Sequence, residues 1–237
     1  MKPTYLYIIL LLLFLGCDSD LQEHEEMMSG SFYITLGWEE FEKGNYGKAD
    51  TLFSTIFLED DGAGYEKDAY VGLGWSSIYW ANSMQGESDY DNRLELRNAA
   101  KISFDAADLI ITEKLDDGVD VDSSLRENLM TGFAYYYDYL ALKAEQLYFS
   151  ANLDETLWTD VISNTEEVIK YTDDLISLNP LYIFEYDPLI DINAIYKLRA
   201  QGYGRIGDYD SARIEANKIE DFECDLDENI MECLDSY

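Results

Sequence analysis

The sequence predicts an all-α fold, a solenoid of about eight helices stacked as antiparallel pairs. Three observations carry the prediction. Proline occurs only at positions 3, 180 and 188, so long stretches run without a helix breaker. From Ser31 onward the apolar residues recur at helical spacing, in segments separated by short turn signals. Short motifs also repeat along the chain: Leu36-Gly37-Trp38 returns 37 residues later as Leu73-Gly74-Trp75, and the G-x-Y-x-x-A of Gly44–Ala49 returns at Gly207–Ala212.

The expected helices are 31–43, 46–59, 66–84, 93–114, 124–150, 155–178, 188–206 and 209–221. Gly44-Asn45 and Gly207-Asp208 mark turns between paired segments. Ser124-Leu125-Arg126-Glu127 fits a capping box, in which a Ser hydroxyl caps the first turn and a Glu three residues on reaches back. Asp187-Pro188 places a cap before a proline suited to the first helical position. Leu178-Asn179-Pro180 is a helix stop. No single face of a helix can bury Phe133, Tyr135, Tyr136, Tyr137 and Tyr139 together, because at about 100° per residue they span the circumference. Either neighbours cover the helix on both sides or some of these tyrosines face solvent.

The first residues have a different logic. Lys2 precedes an uninterrupted apolar run, Tyr5–Leu15, whose 11 residues are too few to cross a bilayer but match the core of a signal peptide. The run ends Phe14-Leu15-Gly16-Cys17. This resembles the bacterial lipobox, with Phe14 departing from the usual Leu. The resemblance implies cleavage after residue 16, lipidation of Cys17 and attachment to a membrane. Residues 1–16 are then a signal peptide and residues 17–30 a tether, extended by like charge at Asp18, Asp20, Glu23, Glu25 and Glu26. The helical body runs from 31 to 222, and residues 223–237 form an acidic tail.

The repeats resemble the tetratricopeptide family. That family places a small residue on the first helix of each pair, then a turn Gly, an aromatic, an Ala and an apolar residue on the second. Gly37, Gly44, Tyr46, Ala49 and Phe53 fill these places in the first unit. Ala200, Gly207, Tyr209, Ala212 and Ala216 fill them in the last, and Ala100, Phe104 and Ala107 resemble the second helix of another unit. The resemblance implies a groove lined by the first helices that holds a protein or peptide. Carried across, the groove residues are Trp38, Phe41 and Glu42, then Trp75 and Tyr79, then Lys197, Gln201 and Arg205. The same aromatic residues suit packing between stacked units equally well.

Charge and chemistry narrow the function. With 49 Asp+Glu against 16 Lys+Arg, a net charge of -33, the chain repels polyanions, so no nucleic-acid partner is expected. The one histidine, His24, lies in the tether, which removes a histidine-based nucleophile triad from the body. No phosphate loop, nucleophile elbow or H-E-x-x-H is present, and neither an enzymatic activity nor a cofactor is expected. Asp116, Asp117, Asp120 and Asp122 lack the spacing of a calcium loop and read as a solvated turn, so no metal is expected. Cys224 and Cys233 remain once Cys17 is assigned to lipid; an exported chain meets an oxidising compartment, where they could pair, with two free thiols as the alternative. The expected function is a lipid-anchored scaffold that binds an envelope protein or peptide at the outer membrane, with a part in envelope assembly. The alternative is a surface lipoprotein that captures glycan or nutrient beside an outer-membrane transporter.

Overall fold

The computed structural model describes residues 29–59, 62–151, 153–225 and 229–237. The expected signal peptide, Cys17, His24 and the expected tether up to residue 28 lie outside the described residues. Among the described residues the fold is all-α. It comprises α1 (Gly30–Glu42), α2 (Tyr46–Thr55), α3 (Glu66–Ser83), α4 (Tyr90–Asp116), α5 (Ser123–Ser150), α6 (Glu155–Leu178), α7 (Ile192–Arg205), α8 (Tyr209–Ala216) and α9 (Ile230–Ser236). The only β-type pairing among them is an isolated bridge between Ile183 and Asp191. Each helix from α1 to α8 packs against the helices before and after it, and α1, α3 and α5 also touch in sequence. None of the described helices is long and apolar enough to cross a membrane.

Packing between units rests on phenylalanines clasped by glycines. Phe53 of α2 sits between Gly37 of α1 and Gly72 of α3; Phe104 of α4 sits between Gly74 of α3 and Gly132 of α5. A Cβ at any of the four would overlap the ring, so the missing side chain sets how closely the helices approach. Ala49, Ala100 and Ala107 are fully buried in the same core, and Ala200, Ala212 and Ala216 are fully buried between α7 and α8. Gly44 and Gly207 close the α1–α2 and α7–α8 turns with φ of 78° and 85°, a left-handed backbone that favours glycine. The repeat positions diverge where neighbours differ. Tyr46 packs on Phe41 and on Tyr79 of the next unit, whereas Tyr209 in the last pair is 54% exposed.

Tertiary context moved several element boundaries. The expected helix 46–59 ends at Thr55 and passes into a 3-10 turn, Ile56–Leu58. The helix expected over 209–221 stops at Ala216. Asp122 caps α5 by accepting from Ser124 N and Oγ, both at 2.9 Å. Glu127 does not complete a capping box; it accepts instead from Asn179 Nδ2 at 2.9 Å. Asp187-Pro188 does not start α7 either. The helix begins at Ile192, with Asp191 as cap accepting from Ala194 N at 2.9 Å. The Tyr-rich run of α5 is covered on all sides: Phe133 and Tyr136 are buried and Tyr135, Tyr137 and Tyr139 are half-buried.

The segment beyond residue 222 is more than a tail. Its α9 docks on α7 through Ile230 and Leu234, and Met231 lies against Gly204. A Cys224–Cys233 disulfide ties α9 to the strand-free chain before it. With Ala200, Ala212, Ala216 and Ile219 these residues form a second core beside the larger one, which is built by α1–α5, the end of α6, the chain between α6 and α7, and Ile195 of α7.

The α1–α2 turn holds a pH-sensitive contact. Glu40 is buried and accepts from Asn45 Nδ2 at 2.9 Å and from the Lys43 and Lys48 ammonium groups, each at 3.1 Å. The Asn45 bond first, and then the two lysines, hold its carboxyl down from 4.5 to about 2. Because the folded value is depressed, the contribution is fully present above about pH 4.5 and is lost as pH falls through about 2. Glu40→Gln should therefore flatten the acid limb of a melting-temperature profile in that window while leaving its neutral shape intact. An unchanged acid limb would refute the assignment.

Candidate interaction site

The aromatic residues expected to line a groove do share one face, built by α1, α3 and α5. Trp38 and Phe41 project from α1, Trp75 and Tyr79 from α3, and Glu127 and Asn128 from α5. That face is already occupied. The chain between α6 and α7, Asn179–Asp191, runs across it and inserts every second side chain. Tyr182 and Phe184 are fully buried, Ile190 is 5% exposed, and Tyr186 is half-buried. Phe184 N donates to Ile190 O at 2.8 Å, which folds the segment back on itself beside the Ile183–Asp191 bridge.

The inserted rings meet the expected groove residues directly. Tyr186 stacks on Trp38 with centroids 3.8 Å apart and planes 1° apart. Phe184 stacks on Trp75 at 4.5 Å and meets Trp38 and Phe41 edge-on at 6.1 and 6.3 Å. Polar anchors fix the register. Trp75 Nε1 donates to Asn128 O and Tyr182 OH donates to Asn128 Oδ1, each at 3.1 Å. Tyr79 OH donates to Asp187 Oδ2 at 2.5 Å. Burial, reinforced by Asp187, pushes the Tyr79 hydroxyl well above its ordinary value, and burial raises Tyr186 to about 12. Both phenols stay protonated at neutral pH, and Tyr79 acts as a donor rather than a base.

Each expected site residue therefore has a definite place. Trp38, Phe41 and Trp75 are buried beneath the inserted segment, and Tyr79 is half-buried and bonded to it. Glu42 is exposed at the end of α1. The α7 residues belong to other contacts. Lys197 is half-buried, 5.9 Å above the Tyr237 ring, and Gln201 is half-buried. Arg205, with 6% of its side chain exposed, pairs with Asp138 at 3.1 Å and Glu145 at 3.5 Å on α5. The four aspartates of the 116–122 loop are exposed, and no cluster of three or more His, Cys, Asp or Glu suited to a metal exists among the described residues.

The segment itself presents a second face. Leu181, Ile183 and Leu189 point away from the core and are 80%, 61% and 86% exposed. Helical reasoning missed this segment because it looks for a period of 3.6. Its signal was the period of two in Leu181-Tyr182-Ile183-Phe184-Glu185-Tyr186, an aromatic and β-branched run bracketed by Pro180 and Pro188. No protein-family model, curated protein or solved structure matches this chain.

Proposed function

We propose that this protein is a lipid-anchored helical-repeat scaffold of the bacterial cell envelope that binds a protein or peptide partner, with a part in envelope assembly. On this reading Cys17 carries the lipid, the acidic residues after it form the tether, and the helix pairs form a solenoid at the outer membrane. The scaffold binds without catalysis, cofactor or nucleic acid.

One observation carries the reading: a segment locked inward by Tyr182 and Phe184 displays Leu181, Ile183 and Leu189 to solvent. Three aliphatic side chains exposed together on one short segment offer an apolar contact surface for a partner. Exposed Glu185 beside them, and the net charge of -33, favour a partner with apolar contacts inside a basic rim. The groove beneath is a support for this surface, since its aromatics are already engaged.

The test combines site-specific crosslinking with a surface variant. A photoreactive residue at the exposed position 185, in cells expressing the full chain, should capture one envelope protein. Replacing Leu181, Ile183 and Leu189 together by Ser should abolish capture at an unchanged melting temperature, because these side chains contribute little to the core. Equal capture by the triple variant would overturn the surface. Failure of labelled fatty acid to enter the protein, or its entry into a Cys17→Ser variant, would overturn the anchor.

A further inference from the structure

A cleft of about 560 Å³ lies between the start of α4 and the second half of α5, well apart in chain position from the inserted segment. That volume suits a small organic molecule. Its composition runs against the rest of the protein. Among the described residues no acidic side chain lines it, whereas Arg93, Arg97 and Lys143 all do. Elsewhere the basic residues are mostly neutralised: Lys43, Lys48, Lys67, Lys101, Lys170 and Lys218 each pair with a carboxylate, as do Arg199 and Arg205. Among the described residues no carboxylate pairs with the three cations of the cleft.

The two guanidinium groups are held in place by neutral acceptors. Arg93 donates from Nη1 to Gly86 O at 2.8 Å and to Met84 O at 3.5 Å. Arg97 donates from Nη2 to Asn82 Oδ1 at 2.6 Å and lies 3.6 Å above the centre of the Tyr139 ring. Its Nε is shut away from solvent with no acceptor. Burial also works against its charge, lowering its pKa. A partly buried cation with no counter-charge is costly, and an anion in the cleft would offset that cost. Lys143 completes the set, 5.7 Å from the Tyr90 ring. The remaining wall includes Leu142 and Leu147, 41% and 46% exposed.

We propose that this cleft binds a small organic anion, an oxyanion head on a short apolar body. The guanidinium forks and the Lys143 ammonium take the head, and Leu142 and Leu147 cover the body. A free molecule fits better than an anionic membrane. A bilayer would set many negative charges against a surface of net charge -33, whereas a single small anion meets only the three local cations.

Calorimetric titration of the full chain at low salt would test this, with hexanoate and hexyl phosphate as probes and hexanamide as the uncharged control. At least one anion should bind at a single site, hexanamide should bind at least tenfold more weakly, and 0.5 M salt should weaken the anion severalfold (about the screening expected when the Debye length falls to a few Å). Arg97→Gln should weaken binding at least tenfold. Lys143→Gln, which removes no hydrogen bond of the fold, should weaken it about fivefold and remains readable even where Arg97→Gln unfolds. Four results would overturn the proposal: neither anion binding at millimolar concentration, hexanamide binding equally well, both variants binding normally, or binding confined to phosphatidylglycerol vesicles.

Discussion

Phe184→Ala should cost about 3–5 kcal/mol of stability and unseat the whole Asn179–Asp191 segment. The ring is fully buried and touches Trp38, Phe41, Trp75 and Tyr186 within about 6 Å of each centroid. Its removal leaves a cavity bounded by rigid indoles on separate helices, which cannot collapse to fill it. The backbone offers little compensation, because the segment has one bridge and no strand partner to hold it. Denaturant unfolding measures the loss. Tryptophan emission gives an independent readout, since Trp38 and Trp75 are 6% and 0% exposed and should shift to longer wavelength as water enters. A loss below about 1 kcal/mol with unchanged emission would mean that the segment contributes little to the core. The comparison variant is Leu189→Ala on the same segment: its side chain is 86% exposed, so it should change stability by less than about 0.5 kcal/mol.

Arg205→Met should cost about 3–5 kcal/mol, through charge rather than volume. Arg205 spans two carboxylates of α5, taking Asp138 with Nη1 and Glu145 with Nε. Burial pushes the Asp138 carboxyl above its ordinary value even with Arg205 opposing the shift. With the guanidinium gone, nothing in that pair offsets the burial. Asp138 must then ionise at a cost or take up a proton. A carboxyl with a raised folded pKa is most favourable below its unfolded value, and its contribution declines as pH rises through the folded one. The variant should therefore lose stability relative to the parent as pH is raised from 4 toward 8. Asp138→Leu in the Arg205→Met background should restore much of the loss, because two apolar side chains replace the pair. No recovery in that double variant would place the cost in lost packing instead. Arg205→Lys should rescue only in part, since one ammonium cannot match two directed N–H groups. The contact matters for architecture as well. The α7–α9 unit has its own core, and it is joined to the rest by Ile195 in the larger core, by a small apolar cluster of Ala134, Val168 and Leu198, by Arg205 and by the Arg199–Asp173 pair at 2.7 Å.

The α-helical class and most helix positions were legible in the sequence, because both depend on local signals. The spacing of apolar residues, the scarcity of proline and the turn glycines Gly44 and Gly207 act within a few residues of themselves. The small residues at helix contacts were legible for the same reason. A glycine in a helix is unfavourable on its own, so Gly37 and Gly74 pointed to a close approach, and each proves to face a phenylalanine ring. The capping pattern at Ser124–Glu127 was misread because local and distant partners compete for the same side chain. Glu127 could reach back to its own helix, yet its carboxylate accepts instead from Asn179 Nδ2, 52 residues along the chain. Asp187 met the same competition and turned its carboxylate to Tyr79, leaving Asp191 to cap α7.

The acidic composition concealed the C-terminal helix in a similar way. Residues 223–237 read as a solvated tail because their charge dominates, but Ile230 and Leu234 lie four apart and need only one apolar face to dock on. The Arg93–Arg97–Lys143 cleft was invisible for a geometric reason. Its cations come from two helices some 50 positions apart, and no spacing within either helix marks them as a group.

By itself the sequence determined that this chain is helical, where its helices turn, which small residues let them approach and that its surface is strongly acidic. Those properties follow from backbone sterics and side-chain type, which act locally. The tertiary structure alone decided what occupies the face shared by α1, α3 and α5. Trp38 and Trp75 are the same residues whether a groove is open or filled, and their burial depends on a segment more than 100 residues further along the chain. Tyr182, Phe184 and Tyr186 reach that face because hydrophobic burial rewards any apolar surface that can cover it, without regard to distance in sequence.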